Sequence, residues 1–272
     1  MRTLLKGGSV VSASGVKRAD VLIDGEKIAK IGRGVKEDFD RLVDVEHCLL
    51  FPGFIDAHTH FDLDVCGTTT ADDFYTGSRA ALRGGTTTVI DFACPNKGES
   101  LRFGLELWHK KAGGRTFCDY GFHMTIDDWS ESIRAELPEM FAKGISSFKM
   151  YMTYPAMMVG DRDLYWALKE LKHLGGICGV HCENAGMIDG MAAERKNAGE
   201  LSPASHSLTR PPCAEAEAVS RLLRIAQAAD CPVVIVHLTC GEALAEVERA
   251  RHRGQRVYVE TCPQYLLLDN SV

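Results

Sequence analysis

What most constrains this chain is a change of rhythm at Pro52. From there on, short β-rich runs alternate with helical segments, the mark of βαβ units and a parallel sheet. The pattern predicts strands over 54–58, 87–92, 120–125, 147–151, 177–181, 233–237 and 256–261, and helices over 72–83, 101–112, 131–143, 162–173, 214–229 and 241–253. Such a run suits a (β/α)8 barrel, which needs one strand more, or an open doubly wound sheet. The unusual residues decide between them. His58 and His60 end the first strand, Lys149 lies in the fourth, His181 ends the fifth and His237 ends the sixth. An open sheet would spread these strands apart, whereas a barrel brings them together at the rim where its chemistry sits. The expected fold is therefore α/β, a TIM-like (β/α)8 barrel over 53–272, truncated before strand 8.

Residues 1–52 read differently. β-rich runs at Thr3-Leu-Leu-Lys, Ser9-Val-Val-Ser, Asp20-Val-Leu-Ile and Lys27-Ile-Ala-Lys-Ile are punctuated by Gly7-Gly8, Ser14-Gly15 and Asp24-Gly25. Four short strands are too few to stand alone, so this is expected to be part of a small β-sandwich domain completed by strands from elsewhere. A net charge of −6, with no basic block, argues against a nucleic-acid partner. No segment is long and apolar enough to span a bilayer, and Gly7, Gly8 and Ser9 interrupt any signal-peptide core, so a cytoplasmic location is expected. The ten cysteines are scattered without a Cys-x-x-Cys pair and are expected mostly as reduced thiols that act as small core residues.

The histidines carry the chemistry. Strand alternation puts His58 and His60 on one face with Asp56, and four histidines at one barrel rim are the neutral imidazoles that suit zinc and neighbouring divalent ions. A permanently charged Lys149 among them would repel a cation, so it points away or has lost its charge. As a neutral amine it can take up carbon dioxide, and the two oxygens of the carbamate would bridge two metals. His109, His173, His206 and His252 fall in helical or loop segments and read as solvated or capping, whereas His123, in the third strand, reads as a possible support to the ligands.

At this point the residues resemble a known family, the cyclic amidohydrolases of the hydantoinase and dihydropyrimidinase group, and within it the D-hydantoinases and phenylhydantoinases. The resemblance runs the length of the chain, in Gly53-Phe-Ile-Asp-Ala-His-Thr-His-Phe-Asp, Thr68-Thr-Thr-Ala-Asp-Asp-Phe, Gly84-Gly-Thr-Thr-Thr, Gly144-Ile-Ser-Ser-Phe-Lys, His181-Cys-Glu-Asn, Val236-His-Leu-Thr and Glu260-Thr-Cys-Pro-Gln-Tyr-Leu. It implies a metal-dependent hydrolase barrel with two zinc ions: His58 and His60 hold one, His181 and His237 the other, and N-carboxylated Lys149 bridges them. Tyr154 is then the hydroxyl that polarises the scissile carbonyl of a small cyclic amide. The family's proton-carrying Asp follows the eighth strand, beyond residue 272, so residues 1–272 alone are expected to be inactive. Asp62, Asp91, Glu183 and Glu260 are nearby carboxylates, none at the strand end expected for that Asp, and Asp91 and Glu183 read as structural supports. Loops 61–70 and 151–161 are expected to cover the exocyclic substituent, with Leu63, Val65, Met152, Met157 and Met158 as a soft apolar wall. The resemblance further implies a homotetramer.

Rival activities share parts of this constellation. Allantoinases and dihydroorotases share the ligands, but a dihydroorotase is expected to carry an arginine shortly after His-x-His, where Phe61-Asp62 stands and favours a neutral cyclic diamide. A mononuclear deaminase would not need Lys149, and non-catalytic scaffold relatives of dihydropyrimidinase lose ligand residues that this chain keeps. The reading is hydrolysis of 5-substituted hydantoins or dihydropyrimidines to N-carbamoyl amino acids.

Overall fold

The computed structural model describes residues 1–65 and 67–269, so Cys66 and the last three positions of the expected barrel segment lie outside the described residues. The chain divides into two compact units, one made of residues 1–56 with 80–88 and the other of the remainder.

In the first unit, β1 (Arg2–Lys6), β2 (Ser9–Ser12), β3 (Gly15–Arg18), β4 (Asp20–Asp24), β5 (Lys27–Gly32), β6 (Arg41–Asp44) and β7 (Leu49–Leu50) form a four-stranded sheet, β5-β4-β1-β6, and a three-stranded one, β3-β2-β7. The four predicted strands are present, and β3, β6 and β7 join them. Gly25, at φ 60°, makes the two-residue β4–β5 turn that pairs Asp24 with Lys27, a conformation that costs glycine little. Leu4, Val21 and Leu22 are buried. Beside them Asp20 accepts from the amides of Gly7 at 2.9 Å, Gly34 at 3.0 Å and Val35 at 3.2 Å, and these bonds, Gly7 foremost, hold its carboxyl below the usual range.

The α/β part runs β8 (Phe54–Thr59), a hairpin β9 (Asp64–Val65) and β10 (Thr68–Thr69), α1 (Phe74–Arg83), β11 (Thr86–Ala93), α2 (Leu101–Ala112), β12 (Asp119–Thr125), α3 (Glu131–Ala142), β13 (Ser147–Tyr151), α4 (Asp161–Leu174), β14 (Ile177–His181), α5 (Ala185–Asn197), α6 (Ser205–Leu208), α7 (Pro212–Ala229), β15 (Val233–Ile235), α8 (Gly241–His252) and β16 (Val257–Val259). Seven parallel strands in the order β16-β15-β14-β13-β12-β11-β8 curl into part of a TIM-like barrel, as expected. The strand Ser147-Phe-Lys-Met-Tyr151 is buried on both faces, because helices cover one side and the barrel interior the other. The helices α2, α3, α4, α7 and α8 lie in a row, each against the next. Ser100 and Ser130 cap α2 and α3 by accepting from the amides of Phe103 and Ile133. No helix among the described residues is long and apolar enough to cross a membrane.

Three departures from the predicted elements have local causes. Helices α5 and α6 were not foreseen, since α5 carries Gly186 and Gly190 and buries only Ile188, so it lacks a continuous apolar stripe. Strand β15 stops at Ile235 rather than at His237, whose φ of 38° leaves the β region. Strand β16 is likewise shorter than predicted. Of the nine described cysteines, all free, only Cys178, Cys182 and Cys231 are buried, so the expectation of mostly core thiols was too strong.

Candidate metal centre

Strand register decides which side chains meet. Lys149 lies opposite Thr125 on β12 and Gly179 on β14, while Tyr151 lies opposite His181. A Cβ on Gly179 would fall 2.9 Å from a Val236 methyl and 3.9 Å from Lys149 Cδ, so glycine keeps room beside the lysine. Lys149 is 1% exposed, and its Nζ lies 5.1 Å from the centroids of both Phe92 and Tyr151. Burial brings its pKa down to about 8, against the opposing pull of Glu260.

The four histidines meet as two pairs. His58 Nε2 lies 3.2 Å from His60 Nε2, and His181 Nδ1 lies 3.0 Å from His237 Nε2. The His58 and His237 ring centroids are 5.7 Å apart, although β8 and β15 are separated by four strands in the sheet order, so the curl of the sheet has brought its two ends together. Phe92 backs the first pair, 4.6 Å from His58 and 4.8 Å from His60, and Tyr151 stacks on His181 at 5.9 Å. The Lys149 ammonium is thus bracketed by the two rings that back the two pairs.

Two glutamates orient the imidazoles. Glu260 meets His58 Nδ1 and also accepts from the His237 amide at 3.2 Å, while Glu183 lies 2.8 Å from His181 Nε2 and pairs with Arg210 at 3.3 Å. A carboxylate only accepts, so the proton sits on His58 Nδ1 and on His181 Nε2, and the lone pairs of His58 Nε2 and His181 Nδ1 turn toward the other imidazole of each pair. Burial, the largest influence, brings the pKa of His60 to about 3 and that of His237 to about 2, and lowers that of His181. Each of these lone pairs is open to a cation or to an N–H of the facing imidazole. Two nitrogens bound to one tetrahedral zinc ion sit roughly 3.3 Å apart, close to both separations. Among the described residues no three His, Cys, Asp or Glu side chains already converge on one point, so each pair offers two protein ligands, with Lys149 between the pairs. The donor set fits divalent metal.

These residues open onto a cavity of about 1280 Å³ bordered by His60, Lys149, His181 and His237. Tyr154 borders it too, its ring 5.0 Å from His181 and its backbone at φ 68°. Leu63, Val65 and Met157 lie on its wall. Met152 and Met158, expected there, instead line a separate pocket of about 390 Å³, because Met152 follows Tyr151 and faces the opposite way. His206, read as solvated, is exposed but also borders the large cavity. His123 bonds Ser147 Oγ at 2.5 Å and the Ala57 carbonyl at 3.0 Å, tying strands beneath the site. Of the four carboxylates singled out in the sequence, Asp62 pairs with Arg115 and Asp91 is spent on structural bonds. Glu260 is the one whose part was missed. It directly follows β16, and its place at the C-terminal end of a barrel strand was the signal.

A curled parallel sheet with histidines and a buried lysine gathered at its strand ends is the layout of a TIM-like barrel with a site at its C-terminal rim. The chain belongs to the Amidohydrolase family, whose profile matches residues 49–206. It is 42% identical to a D-hydantoinase of Geobacillus stearothermophilus, over 100% of this chain and 58% of that protein, and 42% identical to a D-phenylhydantoinase of Escherichia coli strain SE11, over 99% and 59%. The structure of a dihydropyrimidinase from Brevibacillus agri NCHU1002 matches with a TM-score of 0.96 at 40% identity, over 100% of this chain and 59% of that one. The chain thus spans somewhat over half the length of these relatives.

Proposed function

We propose that the whole protein hydrolyses the ring amide of 5-substituted hydantoins or dihydropyrimidines to N-carbamoyl amino acids. In this reading His58 with His60 and His181 with His237 each seat a zinc ion, and N-carboxylated Lys149 bridges them. The observation that carries it is the pair of facing imidazole couples, 3.2 Å and 3.0 Å between nitrogens, with a buried, easily neutralised lysine between them. When bound, the metals supply an activated water and polarise the carbonyl. The chain's own residues then do the rest. Glu260 and Glu183 keep His58 and His181 in the required tautomers. The Tyr154 hydroxyl donates to the oxygen on which charge develops. Leu63, Val65 and Met157 offer an apolar seat for the exocyclic substituent. Phe61-Asp62 after the His-x-His motif supports a neutral ring, and Arg210, the guanidinium at the cavity, is already engaged by Glu183.

Steady-state assays of the whole protein on a 5-substituted hydantoin, dihydrouracil, allantoin and dihydroorotate test the substrate class. Turnover of the first two at least tenfold above the others is expected, and a preference for dihydroorotate would overturn the assignment. Metal analysis alongside should find zinc in the wild type and little in Lys149→Ala.

A further inference from the structure

The loop between β13 and α4 carries Tyr154 in the left-handed region, an unfavourable backbone for a bulky residue unless its surroundings hold it. Inside the loop the amides of Met157 and Met158 both donate to the Tyr154 carbonyl at 2.8 Å, and that of Val159 donates to Tyr151 at 3.0 Å. These bonds fold the loop on itself. Lys97, from the connection between β11 and α2, donates to the carbonyls of Pro155 and Met158, at 2.9 Å and 3.0 Å.

Lys97 is itself well placed to bear load. The Asn96 amide donates to Glu99 Oε2 at 2.7 Å and the Glu99 amide to the Asn96 carbonyl at 2.9 Å, a tight turn that runs straight into the Ser100 cap of α2. Asp127, just past β12, is 5% exposed and keeps one carboxyl oxygen without a hydrogen-bond partner. Burial pushes its pKa up to about 8, and the Lys97 charge is near enough to oppose that shift. One ammonium thus sits between two carbonyls of the Tyr154 loop and within the field of a buried carboxyl at the adjacent strand end. Loss of it would leave the carbonyls of Pro155 and Met158 without their donor.

We propose that Lys97 is a positioning residue for the reaction: it latches the β13–α4 loop to the end of β11 and so sets where the Tyr154 hydroxyl stands over the substrate. The effect on turnover rests on the role given to Tyr154 above, whereas the latch itself does not.

Hydrogen exchange and steady-state kinetics on the zinc-loaded whole protein separate the two. Lys97→Met should speed exchange of the Met157, Met158 and Val159 amides by roughly tenfold, lower kcat for a 5-substituted hydantoin by roughly fivefold with KM little changed, and leave bound zinc unchanged. Lys97→Arg should restore most of both effects. In a Tyr154→Phe background Lys97→Met should add little, because the residue it positions has lost its hydroxyl. Exchange at the wild-type rate in Lys97→Met would overturn the latch. Faster exchange with an undiminished kinetic effect in the Tyr154→Phe background would overturn the positioning of Tyr154. A silent Tyr154→Phe together with faster exchange in Lys97→Met would leave the latch standing and remove Tyr154 from the reaction.

Discussion

Asp91 shows how much a single buried carboxylate can hold. One oxygen accepts from the Phe92 amide at 2.8 Å and Trp108 Nε1 at 3.0 Å, and the other from Thr59 Oγ1 and the Phe61 amide, each at 2.8 Å. Its neighbours Thr59 and Phe61 flank His60, so Asp91 fixes the backbone that aims that imidazole. Even with four donors, burial wins and raises its pKa to about 6. The folded chain therefore binds that proton more tightly than the unfolded one, whose pKa is near 4, and this contribution to stability is present below about pH 4 and lost as pH rises through about 6. We expect Asp91→Asn to flatten the pH dependence of the urea midpoint in that window. At pH 7 it should cost about 2–3 kcal/mol, because an amide nitrogen then faces two donors. At this scale what the sequence made readable is placement, since residue type and strand position together bring His58, His60, Lys149, His181 and His237 near one another. It was unreadable for Met152 and Lys97, whose placement depends on which way a loop turns after its strand.

Helix α1 owes its seat to a missing side chain. A Cβ on Gly77 would lie 2.2 Å from Phe61 Cε1 and 2.6 Å from two more ring atoms, and that ring packs edge-on to Phe74 at 5.6 Å in the core. Alanine is the better helix former by about 1 kcal/mol, yet the clash should dominate. Gly77→Ala is expected to lower stability by about 1–3 kcal/mol, read as a lower urea midpoint at unchanged slope, and a stabilised variant would mean that Phe61 can move aside. The strands and the large helices were legible because β-rich runs alternate with helical segments along the chain after Pro52. Helices α5 and α6 were not, since segment 185–208 makes its structure from local bonds around the cavity mouth rather than from a buried stripe.

At the scale of the molecule, seven strands placed in sequence order still left open whether the sheet lies open or curls. The histidines implied the curl, and the approach of His58 to His237 and Glu260 displays it. Glu260 reaches His58 across 202 residues of chain while also accepting from the His237 amide. Contacts between such distant positions must wait until the intervening chain is ordered, because loop closure costs entropy that local structure does not repay. Assembly of the site should therefore be the last event of folding. On the zinc reading proposed above, metal uptake in refolding experiments, followed with a chromophoric chelator, should lag behind the tryptophan fluorescence to which buried Trp108 contributes beside Trp129 and Trp166, and Glu260→Gln should lengthen that lag. Equal rates for the two signals would mean that the ligands gather early. On the proposed reading, a chain that captured its metal last would offer no high-affinity grip while still incomplete, and bound metal would record that the distant ends of the sheet had met.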